Sequence, residues 1–149
     1  MNTNKRWQIY TEAMAAILIF LFVYTALSKI TEPLIFKKAL AQAPLLAPFA
    51  GLLTFGIPLV EFGLATLLLI PRTRQQGLVL SFLLLLLFTV YVGLMLLLSN
   101  DLPCACGGVL KYMGWQEHFL FNAGCTLAAW TGWKAAQKAN RTPSKFLFE

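Results

Sequence analysis

Two cysteines separated by one residue, Cys104 and Cys106, are the side chains of this sequence best suited to chemistry. Pro103 precedes the pair, and Gly107 and Gly108 follow it, so the chain can bend enough to join the two sulfur atoms in a disulfide. Such a small ring would be strained, and strain makes a disulfide easier to reduce. The pattern therefore predicts an exchange-competent pair, in which Cys104 attacks and Cys106 resolves.

Two other uses of these thiols remain open. The pair could be a static clip that shapes a loop, or it could bind a metal together with His118 and Cys125. Structural zinc sites usually place two to four residues between paired cysteines, and only Ala105 separates these two. We therefore expect no metal.

Three other side chains could assist the thiols. His118 precedes Asn122 by one helical turn, and an imidazole there could stabilise a thiolate or could be an interfacial polar residue. Cys125 could be a third relay thiol or the neighbour of a buried quinone. A lone cysteine in an apolar helix more often behaves as a small hydrophobic residue, and we favour that interpretation for Cys125.

Glu61 is an ionisable residue within the apolar run FGIPLVEFGLATLLLI. A carboxyl group in the membrane interior is energetically costly unless it is protonated, paired or turned toward other helices. We expect Glu61 to face the interior of a helix bundle and to form a hydrogen bond with a neighbouring helix. Lys29 could be its partner or could extend toward the membrane surface, and a proton-relay role for Glu61 is the further alternative.

The segments that position these residues are long and apolar. Hydrophobic residues make up 58% of the 149 positions and charged residues only 12%. A helix needs about 20 residues to cross the hydrocarbon core, and residues 10–30, 52–70, 77–98 and 117–134 meet or approach that length. The sequence therefore predicts an all-α, integral membrane four-helix bundle, followed by a basic cytoplasmic tail over residues 135–149. Nucleic acid is not an expected partner, because the basic residues flank apolar segments.

An apolar segment rich in proline connects the first two predicted spans. It contains Pro33, Pro44 and Pro48 between residues 32 and 50. The segment is too apolar for a free loop and too interrupted for a span. We expect it to lie on the outer membrane surface or to dip into it, with Lys37 and Lys38 at the level of the lipid headgroups.

The distribution of basic residues predicts the orientation. Eight Lys and Arg residues fall on the side of the two termini and four on the side of the cysteine pair. By the positive-inside rule, both termini are cytoplasmic and the cysteine loop is periplasmic, in a bacterial inner membrane.

Several of these features together resemble the MauE branch of the DoxX-like membrane proteins. They are Ser28-Lys29-Ile30, Phe36, the stretch Leu45 to Pro48, Pro58-Leu59-Val60-Glu61, the CxCGG loop and the stretch His118 to Asn122. The resemblance covers nearly the whole chain. It implies a four-helix bundle comparable to vitamin K epoxide reductase and to membrane disulfide-bond oxidoreductases. It also implies a role in supplying or removing disulfide electrons during maturation of extracytoplasmic proteins.

The combined hypothesis is a membrane thiol–disulfide oxidoreductase that exchanges with a periplasmic thioredoxin-like protein or with a client directly. A lipid quinone near Cys125 and Glu61 would be the electron sink of an oxidase. The alternative is a non-catalytic scaffold or assembly subunit of a periplasmic or outer-membrane export or maturation machine. In that case the cysteine pair would only shape a docking loop.

Overall fold

A computed structural model describes residues 3–43, 45–98 and 114–141. Every element in these ranges is helical, which confirms the predicted all-α class. The described ranges contain five α-helices, and a 3₁₀ turn at Ala47–Phe49 precedes the third of them. The helices are α1 Thr3–Thr31, α2 Pro33–Gln42, α3 Ala50–Leu69, α4 Arg74–Leu98 and α5 Trp115–Arg141.

The four long helices form an up-and-down bundle. α1 packs against α3 and α5, and α4 packs against the same two helices. Hydrogen bonds between side chains connect Thr89 to Thr126 and Gln75 to Asn140, which fixes the antiparallel register of α4 and α5. The short turn between α3 and α4 makes these two helices antiparallel neighbours, as such short connections require.

Large apolar side chains lie on both the inside and the outside of the bundle. Leu18, Leu68 and Leu78 are fully buried at its centre. Phe20 and Leu97 are 75% and 84% exposed, and many other large apolar side chains on the outer surface are also exposed. Such an apolar surface is unfavourable in water and favourable in lipid, so the exposed side chains indicate a protein that resides in a bilayer.

Three of the four bundle helices are long and apolar enough to span a membrane. The candidate spans are Asn4–Thr31, Ala47–Leu69 and Arg74–Leu97. α5 has the length, but polar side chains such as His118 and Asn122 lower its hydropathy. Its outward face still carries the exposed apolar side chains Leu120, Leu127 and Trp130. The bundle thus has four long helices, and the membrane crossing of α5 remains a prediction.

The proline-rich segment folds into α2 and the 3₁₀ turn. Pro33 occupies the start of α2, where a missing N–H group costs no hydrogen bond. Phe36 and Leu40 of α2 pack with Ala50 in a small apolar cluster at the beginning of α3. At ten residues, α2 is about 15 Å long and too short to cross a bilayer.

All four long helices begin before the predicted segments, and α1 and α5 extend farthest beyond them. α1 begins at Thr3 and α5 continues to Arg141, past the predicted boundary at residue 134. Ala135 and Ala136 are buried, because this part of α5 packs in the bundle beside the first turns of α1. There Lys138 Nζ lies 4.4 Å from the centre of the Trp7 ring. The first residues of the predicted tail therefore belong to the bundle.

Candidate functional site

A buried ion pair joins α1 to α3 inside the bundle. Lys29 Nζ donates a hydrogen bond to Glu61 Oε1 at 2.7 Å, and the Glu61 side chain is only 6% exposed. Thr25 Oγ1 donates to the same oxygen at 3.1 Å. Glu61 therefore faces the bundle interior, and Lys29 is its partner.

The helical repeat explains why α1 contributes two donors to this carboxylate. Thr25 and Lys29 are four residues apart, so their side chains lie on the same face of α1. Lys29 Nζ also donates to the Thr25 carbonyl oxygen at 3.3 Å and lies 5.6 Å from the centre of the Phe36 ring. Phe36 belongs to α2, so the proline-rich segment covers one side of the ammonium group.

The second carboxylate oxygen of Glu61 is chemically available. Glu61 Oε2 is buried and accepts no hydrogen bond from the described part of the chain. A buried acceptor without a donor costs free energy, and such atoms are found where a ligand or a proton completes the site. The ion pair thus leaves one acceptor position open inside the bundle.

α5 carries the polar side chains His118 and Asn122 near its start. The antiparallel packing of α5 on α1, in which Gly132 lies against Met14, places His118 toward the same end of the bundle as Lys29. Asn122 Nδ2 lies 3.5 Å from His118 Nε2, one turn farther along α5. His118 is also the only histidine of the chain.

The start of α5 is held by a backbone cap. The Gly114 N–H group donates to Glu117 Oε2 at 3.1 Å, which is one half of a capping box. The His118 N–H group donates to the Gly114 carbonyl oxygen at 2.9 Å. These bonds fix where α5 begins and therefore where His118 stands relative to α1.

Cys125 lies two helical turns farther along α5 than His118. Its thiol is half-buried and packs against the main apolar cluster of the bundle. Among the described residues, no three His, Cys, Asp or Glu side chains come together in a way that could hold a metal ion.

Cys104 and Cys106 lie outside the described residues. By chain connection, their segment joins the end of α4 at Leu98 to the start of α5, where Gly114 and His118 lie. The structure therefore places two polar pairs, Lys29–Glu61 and His118–Asn122, toward the end of the bundle to which the cysteine segment connects.

Sequence reasoning missed Thr25 and the covering role of Phe36. Thr25 could have been found from its four-residue spacing to Lys29 once that lysine was assigned to Glu61. Phe36 gave no comparable signal, because its approach to Lys29 depends on how α2 folds back over α1.

Most of the chain matches one known protein family. Residues 7–135 match the family model described as "Methylamine utilisation protein MauE". No curated protein and no solved structure is significantly similar to the chain. The match spans all four bundle helices, while placement among the DoxX-like proteins stays a prediction. This chain is therefore a multi-pass membrane protein that belongs to the MauE family.

Proposed function

We propose that this protein is a membrane thiol–disulfide oxidoreductase whose redox-active residues are Cys104 and Cys106. The pair exchanges with a periplasmic thioredoxin-like protein or directly with a client. The observation that carries the proposal is the buried Lys29–Glu61 pair toward the end of the bundle to which the cysteine segment connects, where α5 also begins with His118 in its first turns.

A polar centre at this position suits thiol chemistry because thiol–disulfide exchange requires proton transfer. A thiol must lose its proton to attack, and the departing thiolate must regain one. Imidazole, carboxylate and ammonium groups can each hold such a proton. A scaffold would have no need for an ionisable pair inside a membrane bundle, which is costly to bury.

The exchange balances without any further reactant when it runs between two cysteine pairs. In the oxidising direction, a client thiolate attacks the disulfide at Cys104 and forms a mixed disulfide, while Cys106 leaves as a thiolate. The second client thiolate then attacks the client sulfur and releases Cys104. The client has lost two electrons and two protons, and the Cys104–Cys106 pair has gained them. The reverse sequence reduces a client disulfide.

A lipid quinone is the electron acceptor that we propose for the oxidising direction, since it takes up two electrons and two protons. The open acceptor oxygen of Glu61 would accept a hydrogen bond from a hydroxyl group of the reduced quinol, and Lys29 would balance the charge of the carboxylate. Cys125 lies in the same bundle, against its apolar cluster. These contacts would hold and orient a polar head group within an otherwise apolar site.

The family description names methylamine utilisation as the process in which such proteins act. We propose that the client is an extracytoplasmic enzyme that acquires its disulfides during maturation, of which methylamine dehydrogenase would be one example. The bilayer that we propose is the bacterial inner membrane, with the cysteine segment on the periplasmic side.

Trapping of a mixed disulfide tests the proposal. Replacing the resolving thiol, Cys106→Ser, should leave Cys104 attached to its partner in an adduct that reductant releases and mass spectrometry identifies. Cys125→Ser belongs in the background of every variant, so that only the loop thiols can react. Cys104→Ser provides the matched control and should give less adduct.

A scaffold would behave differently in the same experiment. Neither single variant would form an adduct, and the double variant Cys104→Ser, Cys106→Ser would still support client maturation. That pair of results would replace the oxidoreductase proposal by a non-catalytic assembly role in an export or maturation machine.

A further inference from the structure

A second polar site lies at the other end of the bundle from the Lys29–Glu61 pair. It is a cavity of about 220 Å³ between α1, α5 and the turn that joins α3 to α4. Its wall includes a base, an acid, three side-chain amides and a threonine. The lining residues with polar side chains are Gln8, Thr11, Glu12, Arg74, Gln75 and Asn140.

The cavity is positioned at a membrane boundary. Two candidate spans meet there, because one ends at Leu69 and the next begins at Arg74. Glu12 and Gln8 lie in the first turns of the span that begins at Asn4. A polar cavity at this level faces the lipid headgroups rather than the hydrocarbon core.

Arg74 is held in place but keeps hydrogen-bond donors available. Its Nε donates to the Leu68 carbonyl oxygen at 3.1 Å, and Nη1 lies 3.5 Å from Glu12 Oε1. A guanidinium group has five N–H donors, so these two contacts leave others for a ligand. Planar forks of this kind bind phosphate oxygens in pairs.

The walls around Arg74 are also fixed. Asn140 Nδ2 donates to Gln75 Oε1 at 2.8 Å, which ties α5 to the start of α4 across the cavity. Thr11 is buried and donates to the Trp7 carbonyl oxygen at 2.8 Å. Ligand binding would therefore meet a largely preformed site.

The opposite charges of Arg74 and Glu12 determine which ligands the cavity can bind. A purely anionic group that approached Arg74 would meet the Glu12 carboxylate, whose side chain is 65% exposed, and a purely cationic group would meet Arg74. A zwitterion satisfies both charges. We infer that this cavity binds the headgroup of a zwitterionic amino-phospholipid, with its phosphate at Arg74 and its ammonium at Glu12.

Lipid retention by the purified full-length protein tests the inference. The protein is incubated with equal amounts of phosphatidylethanolamine, phosphatidylglycerol and phosphatidylcholine, and the bound lipids are quantified by native mass spectrometry. Phosphatidylethanolamine should be retained preferentially, since phosphatidylglycerol lacks the ammonium and phosphatidylcholine lacks N–H donors. Soluble phosphoethanolamine should compete with it, and inorganic phosphate should compete less well.

Matched variants separate this site from general charge attraction. Arg74→Gln and Glu12→Gln should each weaken phosphatidylethanolamine retention by about tenfold, the effect of losing one charge-assisted hydrogen bond. Arg74→Lys keeps the charge but loses the fork and should give an intermediate loss. Arg72→Gln and Glu32→Gln, which change exposed residues outside the cavity, should retain lipid as the parent protein does.

Several results would overturn the inference. They are equal retention of the three lipids, an equal loss in Arg72→Gln and Arg74→Gln, or unchanged retention in Glu12→Gln. Unfolding temperatures measured without added lipid show whether each variant is folded. A cavity variant that is as stable as the parent and still retains phosphatidylethanolamine as the parent does counts against the site.

Discussion

Among single residues, Glu61 has the most demanding environment in the bundle. Its carboxylate is removed from solvent and balanced by Lys29 and Thr25. Burying a charge pair costs desolvation free energy, so the pair is weak evidence for stability. Removing one partner is different, because it leaves the other charge buried without compensation.

The effect of substituting Glu61 on stability should therefore depend strongly on the charge of the new side chain. We expect Glu61→Gln to be tolerated better than Glu61→Lys, because glutamine can still accept from Thr25 and Lys29, whereas lysine would place a second ammonium beside Lys29. Glu61→Lys should cost about 3–5 kcal/mol of unfolding free energy. Thermal or denaturant unfolding in detergent measures both variants.

The second ion pair of the described structure supplies the control. Arg74 and Glu12 are 3.5 Å apart, and the Glu12 side chain is largely exposed. Glu12→Lys should cost no more than about 1 kcal/mol without added lipid. Equal tolerance of Glu61→Gln and Glu61→Lys would show that Glu61 occupies a wet or lipid-facing position instead.

Among the helices, the close approach of α5 to α1 depends on Gly132. A Cβ atom at Gly132 would lie 2.9 Å from Met14 Cβ and 3.2 Å from Leu78 Cδ2. The first atom is fixed to the α1 backbone and cannot rotate away. Gly132 therefore allows α5 to contact α1 and α4 at one level, as small residues do in membrane bundles.

Alanine at this position should separate the helices. We expect Gly132→Ala to destabilise the bundle by about 1–3 kcal/mol, the usual cost of overpacking. Gly124 lies on the same helix, and a Cβ atom added there would meet no other atom within 4 Å. Gly124→Ala should therefore be neutral or stabilising by up to about 1 kcal/mol. Unfolding measurements on both variants compare the two sites, and equal effects would contradict the packing argument.

For the whole molecule, the up-and-down arrangement leaves two possible orientations in the membrane, and locating one helix end determines all the others. If all four long helices cross the membrane, the start of α1, with Trp7, and the end of α5, with Lys138, lie on the same side of it. The segment with Cys104 and Cys106 then faces the opposite side. The eight-to-four distribution of basic residues predicts that the termini are cytoplasmic.

A membrane-impermeant thiol reagent should reveal that orientation. After reduction, intact spheroplasts of a Cys125→Ser variant should be labelled at Cys104 and Cys106, because both thiols would be periplasmic. A variant in which Cys104 and Cys106 are serine and Cys125 is retained should remain unlabelled, since Cys125 is half-buried in the bundle. Labelling of the loop thiols only after lysis would reverse the predicted orientation.

The sequence alone determined the membrane class, the helical segments and the inward position of Glu61. These follow from local quantities: apolar length decides which segments can be solvated by lipid, and the cost of an exposed carboxyl decides its direction. It left open whether Lys29 pairs with Glu61 or extends to the surface. Either arrangement stabilises the charge of a lysine near a helix end, and the neighbouring residues in the sequence do not distinguish between them.

Only the tertiary structure decided how the helices are rotated and aligned. The phase of α1 against α3 places Lys29 2.7 Å from Glu61, and the register of α5 against α1 brings His118 toward the same end of the bundle. The same packing carries α5 past residue 134 and encloses the cavity beside Arg74. These features depend on contacts between residues far apart in the chain, and in lipid an apolar helix gains similar solvation at every rotation, so its composition does not select one.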